Sequence, residues 1–200
     1  MSASRAPTTA EIVVLLDEEG RSIGTAPKSA VHDRNTPLHL AFSCYLFDAD
    51  DHLLLTRRAL SKRTWPGVWT NTCCGHPAPG EALPDAVSRR LRQELGLEIA
   101  DLRVAVPAFR YRAEMADGTV ENEMCPVVVG RCVDAERLRP DPAEVGDTAW
   151  VPWRSFRDDV LAGRRAVSPW CVEQLACLPS DPFGPALERH DAALLPAVLR

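Results

Sequence analysis

The chain has 200 residues, 46% hydrophobic and 26% charged, with 28 acidic against 23 basic side chains and a net charge of −5. That length suits one domain of ordinary size with short extensions, able to bury a core without disulfide or metal staples. The composition excludes a disordered or collagen-like chain, and the negative charge argues against general nucleic-acid coating while leaving room for a local basic cluster. The first ten residues are small and polar and are expected to be loose. Ile12–Asp17 reads as a strand, turned by Asp17-Glu18-Glu19-Gly20 into Ser22–Thr25. His39–Phe47 and Leu53–Arg57 are β-rich runs around Asp48-Ala49-Asp50-Asp51, the pattern of a hairpin. Over Ala82–Leu95 the apolar residues Leu83, Ala86, Val87, Leu91 and Leu95 recur at helical spacing, with Gly96 as the stop. Pro84 falls in the first turn, where a missing amide is tolerated.

Leu102–Glu114, a turn at Ala116-Asp117-Gly118 and Thr119–Val133 read as a long apolar hairpin. Ala149–Pro152 is a short strand, followed by helices near Trp153–Leu161 and Pro169–Leu178. Pro179, Pro182 and Pro185, among 17 prolines, suggest a linker, and Ala186–Leu199 an amphipathic last helix. The expected organisation is a loose segment 1–10, a domain over 11–178, and a Pro-rich linker with a helix over 179–200. Mixed strands interleaved with helices predict an α/β sandwich. Ile12–Leu16 is far too short for a signal peptide or membrane span, which points to a cytoplasmic protein. The seven cysteines include no C-x-x-C pair, and their odd number points to reduced thiols, most of them buried as small hydrophobes.

Gly75 to Leu97 carries the first specific signal: Gly75, five residues, Glu81, seven residues, Arg89, then Arg90-Leu91-Arg92-Gln93-Glu94-Leu95-Gly96-Leu97. This resembles the Nudix box, whose glutamate-rich helix offers oxygen ligands to a magnesium that carries a diphosphate. Arg90 and Gln93 stand where two of the usual glutamates would be, leaving Glu94. One carboxylate suffices to help hold a magnesium diphosphate, but it poorly supports a hydrolase that must activate water.

Among five histidines, His32 and His39 bracket a short loop and His76 follows Cys74-Gly75. Glu121 and Glu123 are two apart, so on a strand their carboxylates share a face and can converge on one cation. Three imidazoles with two carboxylates suit zinc or manganese better than calcium. Spacing alone does not make a motif of ligands drawn from three segments. His52, in a hairpin turn, and His190, in a charged tail, read as surface histidines. Arg57, Arg58, Lys62 and Arg63 form a basic cluster that suits either a solvated turn or a phosphate site.

Several runs together are similar to the type 1 isopentenyl-diphosphate delta-isomerase family. They are Leu38–Ser43, Thr56–Lys62, Trp65–Asn71, Cys74–Pro77, Phe109–Arg112, Val120–Glu123 and Ser168–Trp170, in family order and spread over Glu11 to Cys177. The resemblance implies a Nudix-like α/β/α sandwich with a mixed β-sheet. It implies His32, His39, His76, Glu121 and Glu123 as ligands of one divalent metal, manganese or zinc. It implies Glu94 and the Cys74 carbonyl as the magnesium site. Cys74 would be the catalytic thiol and Glu123 the opposing acid or base, with Tyr111 beside that glutamate. Trp170 would be the aromatic over the cationic centre, and Lys28, Arg58, Lys62 and Arg90 would contact the diphosphate. Arg57 and Arg63 are expected to contribute only to the field.

The implied reaction shifts a double bond in a five-carbon diphosphate through a tertiary carbocation. It needs two proton-transfer groups on opposite faces of the substrate, an indole that stabilises the cation without attacking it, and a site that excludes water. The partner is then a small allylic or homoallylic diphosphate, with no nucleic acid or membrane, and the protein a monomer. A Nudix hydrolase and a silent Nudix-like module are the alternatives. Arg90 and Gln93 weigh against the first; the presence of Cys74, Glu123 and Tyr111 weighs against the second.

Overall fold

The computed structural model describes residues 11–184 and 192–200. Strands β1 (Ile12–Leu16) and β2 (Ser22–Pro27) form the expected hairpin, and a single helical turn, α1 (Lys28–Val31), comes after them. The run from His39 to Phe47 is not one strand. It breaks at Ala41 into β3 (His39–Leu40) and β4 (Phe42–Phe47), which belong to different sheets. Next come β5 (His52–Arg58), the two short strands β6 (Trp69–Thr70) and β7 (Cys73–Gly75), and helix α2 (Leu83–Leu95). The predicted long hairpin breaks likewise, into β8 (Ile99–Val106) and β9 (Arg110–Glu114) on one arm and β10 (Val120–Met124) and β11 (Val127–Cys132) on the other. Strand β12 (Val145–Pro152) is longer than the four residues expected, and α3 (Trp153–Leu161) and α4 (Pro169–Cys177) close the domain.

The α/β sandwich therefore has two mixed sheets. The larger runs β12-β5-β4-β11-β8, with β6 on β5 and β7 on β4; the smaller runs β2-β1-β3-β10-β9. Strand β4 is buried on both faces, which is why its sequence is apolar on both and not alternating, with Ser43 the exception. Phe42, Cys44 and Leu46 face α2 and meet Leu83, Val87, Leu91 and Leu95. Tyr45 and Phe47 face the other way, toward Trp153, Phe156, Trp170 and Leu175 of α3 and α4. Helix α2 ends at Gly96, whose left-handed φ of 68° only glycine adopts without strain.

The chain crosses between the sheets at three places: Ala41, 107–109, and Cys125-Pro126. Backbone bonds stitch the crossings together, Ala41 N–H to Met124 O at 2.9 Å and Cys125 N–H to Phe109 O at 2.8 Å. Near these crossings, His39 of β3 and Glu123 of β10 come together with His76, the residue after β7.

The C-terminal segment does not form the single helix expected over 186–199. Residues 185–191, with His190, lie outside the described residues, as does the segment 1–10. Ala192–Leu194 and Ala197–Leu199 are separate 3-10 turns divided by Pro196, whose ring cannot continue a helix. Leu195 and Leu199 pack against the α2 side of the core, and Val198 against the cluster around Val14 and Leu16.

Candidate active site

His39 on β3 and Glu123 on β10 are register partners in the smaller sheet. His76 directly succeeds β7 of the larger sheet, and His32 succeeds α1. One ligand atom from each of His32, His39, His76 and Glu123 lies within 4.8 Å of the others. Glu123 Oε1 sits 3.3 Å from His76 Nε2 and 3.4 Å from His39 Nε2. Pro37 O, 2.9 Å from His39 Nδ1, takes that ring's proton and leaves Nε2 as a lone pair aimed at the cluster. The buried Nε2 atoms of His32 and His39 have no hydrogen-bond partner. Burial pushes His32 down to about 4 and His76 down to about 3, so both rings are neutral at pH 7. His39, although buried, is raised by Glu123, which faces its ring. Convergent imidazoles with buried, unpartnered ring nitrogens beside an ionised carboxylate fit a divalent cation. Glu121 stands outside this group of four.

Glu121 and Glu123 share a face of β10, as their spacing requires, and the Tyr111 hydroxyl stands within hydrogen-bond distance of both, 2.7 Å from Glu121 and 2.9 Å from Glu123. Their environments split them. Burial would raise Glu123, but His39 and His76 hold it well below the usual carboxylate range. Burial and the charge of Glu123 raise Glu121. Tyr111 is pushed up, chiefly by burial, and keeps its proton.

Cys74 lies half-buried on β7, opposite Ser43 of β4. Its Sγ is 3.3 Å from Ser43 Oγ and 3.4 Å from the Asn71 amide. Burial pushes the thiol up to about 12, so it carries its proton at neutral pH. Gly75 next to it has no substitute, because a Cβ there would stand 2.7 Å from Arg90 Cγ and 2.9 Å from the Phe42 ring. That absence lets β7 lie against α2.

These residues open onto one cavity of about 420 Å³, within the range of small-molecule sites. Cys74, His32, His76, Tyr111, Glu121, Glu123 and Trp170 line it, together with Lys28, Arg58, Lys62 and Arg90. His39 is fully buried behind this lining. Trp170 is buried, its Nε1 donating to Asn71 Oδ1 at 3.1 Å, with Trp65 edge-on at 5.3 Å and Arg58 at 5.5 Å from the ring centroid. Glu94 faces a separate recess of about 20 Å³ that Cys74, Arg58 and Lys62 also line. Of the remaining basic cluster, Arg63 lines the cavity and donates to Ser29 O at 2.8 Å, whereas Arg57 is not part of the lining.

Two charged cavity residues carried no signal in the sequence. Glu11 pairs with Lys28 and with Arg90, the latter at 2.6 Å. Glu144 pairs with Lys62 and lies 3.7 Å from Arg90, which is also paired with Glu94 along α2. Both come from segments remote from every motif. His52, by contrast, is the surface residue expected, paired with Asp48 at 3.0 Å in its hairpin.

Residues 37–171 match the NUDIX domain, and solved structures share the fold. The crystal structure of DR0079 from Deinococcus radiodurans superposes with a TM-score of 0.61 over 83% of this chain and 98% of that one, at 20% identity. The MutT protein from Methanosarcina mazei gives 0.53 over 70% and 91%, also at 20% identity. Fold and sequence define a NUDIX-domain protein. A relative from Mycolicibacterium vanbaalenii named isopentenyl-diphosphate Delta-isomerase is 61% identical over 88% of this chain and 96% of its own. One of the same name from Frankia alni is 58% identical over 91% and 90%. Within the NUDIX proteins, the chain belongs to the isopentenyl-diphosphate Delta-isomerase family.

Proposed function

We propose that this cavity is where the protein acts as an isopentenyl-diphosphate delta-isomerase, interconverting isopentenyl and dimethylallyl diphosphate. The observation that carries the assignment of the chemistry is that the Cys74 thiol and the Glu123 carboxylate line one cavity whose other wall bears Lys28, Lys62 and Arg90. A thiol raised to about 12 holds a proton to give, and an ionised carboxylate is ready to take one. In the forward direction one group protonates the terminal methylene carbon of the alkene, the double-bond electrons forming the new C–H bond. The other removes a proton from the carbon nearer the diphosphate, and those electrons close the new double bond. Tyr111, hydrogen-bonded to Glu123, holds that carboxylate in place.

The cation between the two steps is tertiary and needs an electron-rich neighbour that cannot add to it. The Trp170 indole fills that role, contributing about 2 kcal/mol when desolvated. His32, His39, His76 and Glu123 would hold a divalent metal, manganese or zinc, with Glu121 beside them. Glu94 and the Cys74 carbonyl would hold magnesium. When bound, the first offsets charge at the acid/base end and the second neutralises diphosphate oxygens. Arg58, Lys62, Lys28 and Arg90 complete the diphosphate contacts. The setting proposed is a monomer in the cytoplasm acting on a small diphosphate, without nucleic-acid or membrane partners. No helix among the described residues is long and apolar enough to cross a membrane.

Incubation with isopentenyl diphosphate and magnesium, monitored by proton NMR, tests this function. Dimethylallyl diphosphate without free phosphate is expected. Release of phosphate would mark a hydrolase, and unchanged substrate a silent module.

A further inference from the structure

Beneath Cys74 lies a fully buried polar cluster with no part in the chemistry described so far. Ser43, Tyr45, Cys125 and Gln174 are each inaccessible to solvent. Ser43 Oγ lies 3.3 Å from Cys74 Sγ and 3.4 Å from Cys125 Sγ, and it accepts from Gln174 Nε2 at 2.8 Å. Gln174 is held in turn by the Tyr45 hydroxyl, which donates to its Oε1 at 2.9 Å.

Donors and acceptors can be counted through this cluster. Asn71, although 3.4 Å from Cys74 Sγ, has nothing left to offer it. Its two amide protons go to Cys44 O at 3.1 Å and Cys73 O at 2.9 Å. The two lone pairs of its Oδ1 take Thr70 Oγ1 at 2.8 Å and Trp170 Nε1 at 3.1 Å. Ser43 is therefore the working partner of the Cys74 sulfur. A hydroxyl has one proton and two lone pairs, and Gln174 takes one lone pair. One proton and one lone pair remain for two thiols.

Two arrangements are open. If Ser43 donated to Cys125, the Cys74 proton would turn inward to Ser43, and the Cys125 S–H would be buried with no acceptor among the described residues. If Ser43 donates to Cys74, Cys125 donates to Ser43 and the hydroxyl and both sulfurs each have a partner, the arrangement folded proteins favour. The Cys74 proton then has no inward acceptor and turns to the cavity.

We propose that Ser43 is a positioning residue, which spends its proton on Cys74 Sγ and so directs the Cys74 proton at the substrate. Gln174, fixed by Tyr45, sets the sense of this chain of donors. The proposal rests on Cys74 being the proton-transfer thiol.

The S–H stretching band of Cys74, isolated as the Raman difference between the native protein and Cys74→Ala, reports the hydrogen bond directly. In Ser43→Ala the band moves, measured against the Ser43→Ala/Cys74→Ala double variant. In the same variant kcat falls about three- to tenfold, the worth of one ordinary hydrogen bond, while KM stays within about twofold. Ser43→Thr, which returns the hydroxyl, restores the band and the rate. Should Ser43→Ala fail to fold, Gln174→Leu provides the test. It frees a Ser43 lone pair for the Cys74 proton and lowers kcat in the same direction. An unmoved band, or a loss shared equally by kcat and KM, would overturn the role of Ser43. Turnover retained by Cys74→Ala would instead overturn the role of the thiol, whatever the band does.

Discussion

The two ends of the cavity are built on opposite electrostatic plans. At one end, three imidazoles and Glu123 converge, each imidazole with one ring nitrogen buried and unpartnered. At the other, Lys28, Lys62 and Arg90 are already matched by Glu11, Glu144 and Glu94. Unpartnered lone pairs cost desolvation energy that only a ligand recovers. The paired cations need none, because carboxylates stand in for the phosphate oxygens. On the proposed function, the histidine end is primed to hold a cation, and the basic end to exchange its carboxylates for a diphosphate.

Substitutions sharpen this contrast, beginning between the two ends. Cys74→Ala removes the thiol proposed to transfer a proton and is expected to lower turnover by about a thousandfold or more. Inorganic pyrophosphate should still bind within about threefold of native, because the basic end is untouched. Isothermal calorimetry with stopped-time product assays separates the two, and native-like turnover would remove the thiol from the mechanism.

His39→Ala attacks the primed end. Its largest effect should be on metal content and on melting temperature, since a ligand that binds only the folded state stabilises it by mass action. Elemental analysis after dialysis is expected to show native protein retaining one divalent transition metal and the variant losing it. Chelator should lower the native melting temperature and leave the variant's unchanged; equal responses would contradict the assignment.

Trp170→Leu tests the cation between the ends. Loss of about 2 kcal/mol of transition-state stabilisation corresponds to about thirtyfold in kcat. Equal losses in kcat and in diphosphate affinity would make Trp170 a binding residue only.

The smallest effect belongs to the paired end. Burial would raise the Glu11 carboxyl, but Lys28 and Arg90 draw it down to about 2 against an ordinary 4.5. A depressed carboxylate stabilises the fold above its unfolded value and loses that contribution as pH falls through its folded one. The melting-temperature difference between native protein and Glu11→Gln should thus be full above pH 4.5 and shrink toward pH 2. Because Glu11 is partly exposed, the difference corresponds to no more than about 1 kcal/mol. A difference that grew with acidity would contradict the pairing.

How much of this could be read from residues alone depends on the range of the forces involved. Helix α2 was fully declared by its apolar spacing and Gly96, since both are local. The breaks at Ala41 and at Cys125-Pro126 were not, because each run continues as strand on both sides and only pairing with different sheets distinguishes the halves. The residues proposed to move protons and to hold the metal stand in recognisable runs, and three of the four clustered by their ligand atoms sit at ends or crossings of strands. Glu11 and Glu144 were invisible because a lone carboxylate in a loop gains meaning only from the cation it meets in space. Ser43 and Asn71 stood inside recognised runs without a role, since their significance lies in hydrogen-bond directions that sequence does not carry.

The most direct test of proton exchange between Cys74 and Glu123 is turnover of isopentenyl diphosphate in deuterated water, with mass spectrometry and NMR of the product. Native protein is expected to place deuterium on carbon in dimethylallyl diphosphate, and Cys74→Ala to place none. Product formed without solvent deuterium on carbon, or equal labelling by the variant, would contradict the account.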